Sequence, residues 1–162
     1  MRPLFFIFIL LIISFSSLAT TKQVVDLLIS GNDTIRLRES PLQKLMLKYR
    51  PFGYTKETAP SSTCLRGYRA IWRVENDKLY LEKIIRCDSE EQENIIELFQ
   101  KNGLAFQSKD QMILADWYTQ DLYRIKYPVT YIYLSCCTGD QKEEDVILRI
   151  EKGSITKKQL TT

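Results

Sequence analysis

Residues 64–84 read CLRGYRAIWRVENDKLYLEKI, and the way this run is taken, as the mouth of an active site or as two strands folded back on each other, governs the rest of the chain. With Asn76-Asp77 at the tip of a two-residue turn, Glu75 faces Lys78, Val74 faces Leu79, Arg73 faces Tyr80 and Trp72 faces Leu81. Ala70, Trp72, Val74, Leu79 and Leu81 then share an apolar side. Arg73, Glu75, Lys78 and Glu82 share a charged side, crossed by opposite-sign pairs worth a few tenths of a kcal/mol each, roughly. The run is therefore a hairpin, and Trp72 belongs to the core because all its same-face neighbours are apolar.

The fold-back also brings the flanks of the hairpin together. Continuing the register leaves Cys64 near residue 89 and Cys87 near residue 66, an offset that one bulge would remove. A Cys64–Cys87 disulfide is the first choice. The other two cysteines, Cys136 and Cys137, are further candidates for pairing. A bridge between those two ranks last, since adjacent residues on a strand point to opposite faces. With no histidine and no CxxC, no metal site is expected, and no cofactor.

Disulfides suit the start of the chain. MRPLFFIFILLIISFSSLATT has one cation at Arg2, an uncharged apolar run over residues 4–13, and small residues up to Ala19, the order of a secretory signal cut after Ala19. Residues 20–162 would then be a single β-rich domain, exported to the periplasm or secreted. The alternative is an N-terminal segment that stays uncleaved as an anchor, although about 20 apolar residues are needed to span a bilayer. No comparable run recurs, so the mature chain is not expected to span a membrane. Its 143 residues suffice for one core. The formal charge, +3 for the whole chain and +2 without Arg2, and the lack of a basic stripe argue against a nucleic-acid partner.

Working outward, QVVDLLISGNDTIRLRE gives two short strands around the turn cluster SGND. Asn32-Asp33-Thr34 is also a glycosylation triplet, of consequence only in a eukaryotic secretory route. In SPLQKLMLKYRPF, Ser40 and Pro41 suit a helix start, with Leu42, Leu45 and Met46 on one face, so a short helix is expected over residues 42–48. Residues 51–63 form a loop. SEEQENIIELFQKNG predicts a helix over residues 90–101, capped by Ser89, ended by Gly103 and buried through Ile95, Leu98 and Phe99, with Glu97 and Lys101 paired outside. Three β segments follow: two strands around YTQD, a third in VTYIYLSCC, and a last hairpin turning at Lys152-Gly153. The expected class is α+β, mainly antiparallel: a hairpin meander, as a sheet or partly closed barrel, with one or two helices packed on it.

The order Cys64, Arg66-Gly67-Tyr68, Trp72, Leu79-Tyr80-Leu81, then Ala115-Asp116-Trp117, resembles a family of small uncharacterised bacterial proteins. The likeness covers roughly the last hundred residues, and Leu65 departs from it, standing where the family has an aromatic. It implies a bacterial origin and a β-rich domain, and brings no activity.

Lack of histidine excludes every nucleophile that depends on an imidazole base. Glycine-rich phosphate loops are absent as well. The enzyme reading left is a carboxylate-dependent hydrolase acting on a carbohydrate, with Asp116 beside Trp117 and Tyr118, and Glu82 or Asp121 as partner. Against it stands a noncatalytic binding or structural module meeting a protein or carbohydrate partner. Its surface would be built from Arg66, Arg69, Arg73, Tyr80, Trp117 and Tyr118, provided the outer face of the hairpin meets the ADWYT segment. A structural protein of the envelope is a third reading. Carboxylates about 5–9 Å apart in a cleft would favour the hydrolase; a flat Tyr and Arg face would favour the binder.

Overall fold

A computed structural model describes residues 23–55, 57–125 and 146–159. Its longest hairpin is the one that the sequence marks. β3 (Tyr68–Glu75) and β4 (Lys78–Arg86) pair antiparallel in the expected register, Glu75 with Lys78, Val74 with Leu79, Arg73 with Tyr80 and Trp72 with Leu81. Asn76 and Asp77 both take positive φ, as a tight two-residue turn requires. Ala70, Trp72, Leu79 and Leu81 are buried, with Val74 packed at their edge.

A bulge follows, but it runs the other way from the one that Cys64 and Cys87 were expected to need. Ile71 pairs with Lys83, so Glu82 is the extra residue on β4. What brings the cysteines together is a turn. Gly67 N–H donates to the Cys64 carbonyl, Gly67 takes φ +80°, and Cys87 N–H donates to the Gly67 carbonyl. Cys64 and Cys87 are joined by a disulfide across a Cα separation of 6.5 Å.

β1 (Leu27–Ser30) and β2 (Asp33–Arg36) form the first hairpin. β1 then lies parallel to β3, Leu28 beside Trp72, so the sheet is mixed rather than purely antiparallel. Further along come β5 (Ser108–Lys109), β6 (Met112–Leu114), β7 (Asp121–Tyr123), β8 (Val146–Glu151) and β9 (Ser154–Lys158). The path is β2-β1-β3-β4-β9-β8-β7, with β6 against β4 and β5. The segments around YTQD are thus not a hairpin: β6 pairs with β4, and β7 pairs with β8. The turn at Lys152-Gly153 between β8 and β9 stands as expected. A simple meander does not describe this order. The sheet curls into a half-barrel, and its two ends touch where Leu37, just past β2, bridges Arg124, just past β7. Arg38 N–H donates to Tyr123 O, and Ile125 N–H to Arg36 O, both at 3.0 Å.

The helix α1 (Ile95–Lys101) adds Ile95, Leu98 and Phe99 to the core that the sheet buries. It is shorter than expected. Residues before it are held back on β4, where Glu93 N–H donates to Ile84 O and Arg86 N–H to Glu91 O, so winding starts only at Asn94, whose side chain caps Glu97 N–H. Ser89 instead accepts from Glu91 N–H within the connecting turn. Glu97 and Lys101 pair at 3.0 Å. The helix expected over residues 42–48 is one 3-10 stretch, Pro41–Leu45. Met46 ends it in the left-handed region (φ 47°, ψ 50°) and is 91% exposed, not part of a buried face. No helix among the described residues is long and apolar enough to cross a membrane. The strand expected in VTYIYLSCC, with Cys136 and Cys137, lies outside the described residues, as do residues 1–22.

Candidate functional site

Asp26 sits in the apolar run Val24-Val25-Asp26-Leu27-Leu28, and β1 carries it into the interior, where it is completely enclosed. Its Oδ1 meets Arg66 Nη1 at 2.9 Å and accepts from Ala70 N–H at 3.3 Å; Oδ2 accepts from Trp72 Nε1–H at 3.2 Å. Arg66 also donates to Ser40 Oγ at 2.9 Å and to the Val24 carbonyl at 2.8 Å, with its guanidinium 5.1 Å from the Tyr68 ring. Burial pushes the Asp26 carboxyl above its ordinary range, against the pull of Arg66 and of the donors. Burial likewise lifts the Tyr68 hydroxyl, up to about 12. Arg66, Tyr68 and Trp72 are therefore a clasp on the N-terminal segment. Between them Gly67 is required, because a Cβ there would run into the Tyr54 ring. The signal for this clasp in the sequence is a single carboxylate inside an otherwise apolar run.

An open cleft lies beside the clasp. Residues 46–55 stand against α1 and leave a cleft of about 990 Å³ between them. Tyr49, Phe52 and Tyr54 line it, with Lys48, Arg50 and Lys101 and the carboxylates of Glu57, Glu93 and Glu97. Phe52 has φ 54°, a left-handed conformation that costs a bulky residue about 1–2 kcal/mol. The fold pins it there. Glu93 Oε2 accepts from Phe52 N–H at 2.6 Å, and Asn102 holds Tyr49 at both backbone groups, accepting from its N–H at 2.9 Å and donating to its carbonyl at 3.0 Å. Arg86 lies 5.2 Å from the Tyr54 ring. Strain over-determined by tertiary bonds, next to an open cleft, is a mark of functional sites.

The residues expected to form one binding face do not come together. Arg66 is committed to Asp26. Tyr118 is 1% exposed, in the same core as Trp72, and Trp117 packs beside it at 6.3 Å from Trp72 while donating to Pro41 O. Tyr80 faces the opposite side of the sheet, buried with Met112 and Leu114. Successive strand residues alternate faces, and that alternation separates Arg73 and Tyr80 from Tyr118. Arg69 is exposed, and Arg73 is bound to Glu82 at 2.7 Å. Two of the candidate carboxylates are already engaged by arginines. Arg149 holds Asp121 with two bonds of 2.9 and 3.0 Å. Glu82 is held by Arg73 on the neighbouring strand, at 2.7 Å. Asp116 lies half-buried in the turn after β6.

Two ionisable groups near the seam of the sheet are also perturbed. Glu39 accepts from Tyr123 N–H at 2.8 Å and from Arg38 Nε–H at 2.9 Å, and burial raises its carboxyl. Burial raises the Tyr118 hydroxyl more strongly.

No protein-family model matches the chain, and neither curated proteins nor solved structures yield a match.

Proposed function

We propose that the protein is an exported, noncatalytic binding module, bacterial as its resemblance implies, whose partner protein enters the cleft between residues 46–55 and α1. The observation that carries this reading is the pinned, strained loop: Phe52 is at positive φ with its amide bound by Glu93, and the backbone of Tyr49 is held by Asn102, so the segment that carries Tyr49, Phe52 and Tyr54 is fixed before a partner arrives. Preorganised Tyr and Arg side chains are what binding hot spots favour, because little side-chain entropy remains to be lost. The disulfide supports export, since such bonds persist in oxidising compartments.

The test is a pull-down from the envelope fraction of the host with chain from Thr20, against a Tyr49→Ala/Tyr54→Ala variant. Partner capture by the first and loss by the second is the expected result. Identical capture by both would remove the cleft from consideration. N-terminal sequencing of the protein recovered from its host is expected to begin at Thr20; a start at Met1 would mean the leader is retained.

A further inference from the structure

Tyr54, on one wall of the cleft, is gripped by two segments that lie far apart in the chain. Its ring packs on the bare backbone of Gly67, where a Cβ would overlap it. Arg86 stands 5.2 Å from the same ring and 6.0 Å from the Phe52 ring, and the Tyr54 hydroxyl donates to Asp88 Oδ2 at 3.4 Å. Arg86 and Asp88 are themselves paired at 2.8 Å. The ring is therefore held between the turn that follows Cys64 and the residues on either side of Cys87.

The disulfide ties those two jaws together. Past the Tyr68–Arg86 pair, the last of the β3–β4 ladder, the flanks are joined by one backbone hydrogen bond among the described residues, Cys87 N–H to Gly67 O at 3.1 Å, and by the Cys64–Cys87 bond. The end of a ladder frays at little cost, and a covalent link forbids that opening. The Cys64 side is fixed on its own account, since Cys64 N–H donates to Ser61 O at 3.1 Å and Arg66 is committed to Asp26. What parts from it when the sulfurs separate is the Cys87 side, with Arg86 and Asp88. Phe52 supplies a bias towards release, because its left-handed backbone relaxes once the segment lets go.

We infer that the Cys64–Cys87 disulfide is a switch for the cleft: oxidation locks the Tyr54 wall in place, and reduction releases it while the sheet stays folded. The switch rests on the cleft being a binding site and regulates that site. In reduction by a dithiol, one thiolate attacks the sulfur of Cys87, which is half-buried where Cys64 is enclosed, and expels Cys64 as thiolate. The second thiol of the reagent then displaces Cys87. Two electrons and two protons pass to the cysteines, and the reagent leaves as a cyclic disulfide. Oxidation by a disulfide-bearing oxidant is the reverse exchange, so a chain that has not reached an oxidising compartment does not bind.

The experiment follows fluorine resonances of the chain from Thr20, which contains every described residue, labelled with 3-fluorotyrosine. Signals of Tyr54, Tyr80 and Tyr118 are assigned by their absence from the single phenylalanine variants. With dithiothreitol, and equally in Cys64→Ser/Cys87→Ser, the Tyr54 signal is expected to move to its position in urea. Those of Tyr80 and Tyr118, buried in the sheet, are expected to stay. The serine variant confines the effect to this one bond. In the oxidised chain, Arg86→Gln/Asp88→Asn keeps the disulfide, removes one jaw and is expected to move the same signal. A wall released in about nine molecules of ten lowers apparent affinity about ten-fold, read as partner capture by the serine variant against the oxidised parent. A Tyr54 signal unmoved by reduction and by the serine substitutions overturns the switch and leaves the cleft reading standing. Loss of the Tyr80 and Tyr118 signals along with it assigns the bond to the whole fold and overturns the switch as well. If Tyr49→Ala/Tyr54→Ala loses the partner and the serine variant keeps it, the switch fails alone; if all three capture alike, the cleft reading fails and the switch with it.

Discussion

Asp26→Ala is the substitution that tests the clasp most directly. Removing one member of a buried ion pair costs about 3–5 kcal/mol, because the other is left desolvated and uncompensated. Arg66 keeps Ser40 and the Val24 carbonyl, and its side chain retains 14% exposure, which places its share near the lower figure. The Trp72 indole N–H and the Ala70 amide lose their acceptor, at about 1 kcal/mol each or more. The expected loss is about 5 kcal/mol. With a urea dependence of about 2 kcal/mol per molar, the unfolding midpoint falls by about 2.5 M. Unfolding is followed by the fluorescence of Trp72 and Trp117. Arg66→Ala alone should be similarly costly, and the double variant should cost about 2 kcal/mol less than the two singles added. A loss under about 1 kcal/mol, or strict additivity, would refute the clasp. The pH dependence has a definite sign. The folded state holds the Asp26 proton above the ordinary value of 3.8, so this group's contribution to stability is full below that value and declines as pH rises through the raised one. Asp26→Asn lacks the decline, so its deficit relative to the parent narrows as pH rises from acid towards neutrality.

Replacing Cys64 and Cys87 by serine opens a loop with a sequence separation of 23 and should cost about 3 kcal/mol in thermal or urea unfolding. Gly153→Ala puts a Cβ 2.9 Å from the Ala115 carbonyl at φ +75°, so the Lys152-Gly153 turn must shift, at a cost of about 1–3 kcal/mol read in the same assay. Met46→Asn should stabilise by about 0.5–1 kcal/mol, because asparagine tolerates the left-handed conformation and Met46 has almost no packing to lose.

Local pairing was legible in the sequence, and contacts between distant segments were not. The register from Trp72 to Leu81 follows from two turn residues and an alternating pattern, both contained in ten residues. The parallel contact of β1 with β3 has no such signal, since neither strand names its partner. Short elements misled for a physical reason. Leu42, Leu45 and Met46 fit a helical face by spacing, but the left-handed turn at Met46 moves it from the core to the solvent. At α1 the capping pattern from Ser89 was sound chemistry, yet tertiary bonds from residues 91–93 to β4 outweighed it. The expected binding face failed at the same point: it required one surface from residues that strand alternation had already divided. Asp26 was readable as a misfit in an apolar run, whereas the cleft depends on Glu93 and Asn102, which flank α1 and reach across from some forty to fifty residues away.

The contact between Leu37 and Arg124 has a further consequence. An open β-sheet offers unpaired amides and carbonyls along both margins, and these can recruit another molecule strand by strand into a fibril. Here each margin occupies part of the other, so a single seam shields two templating surfaces. Any change that parted it would expose both at once, and self-association would accelerate well before the core had unfolded.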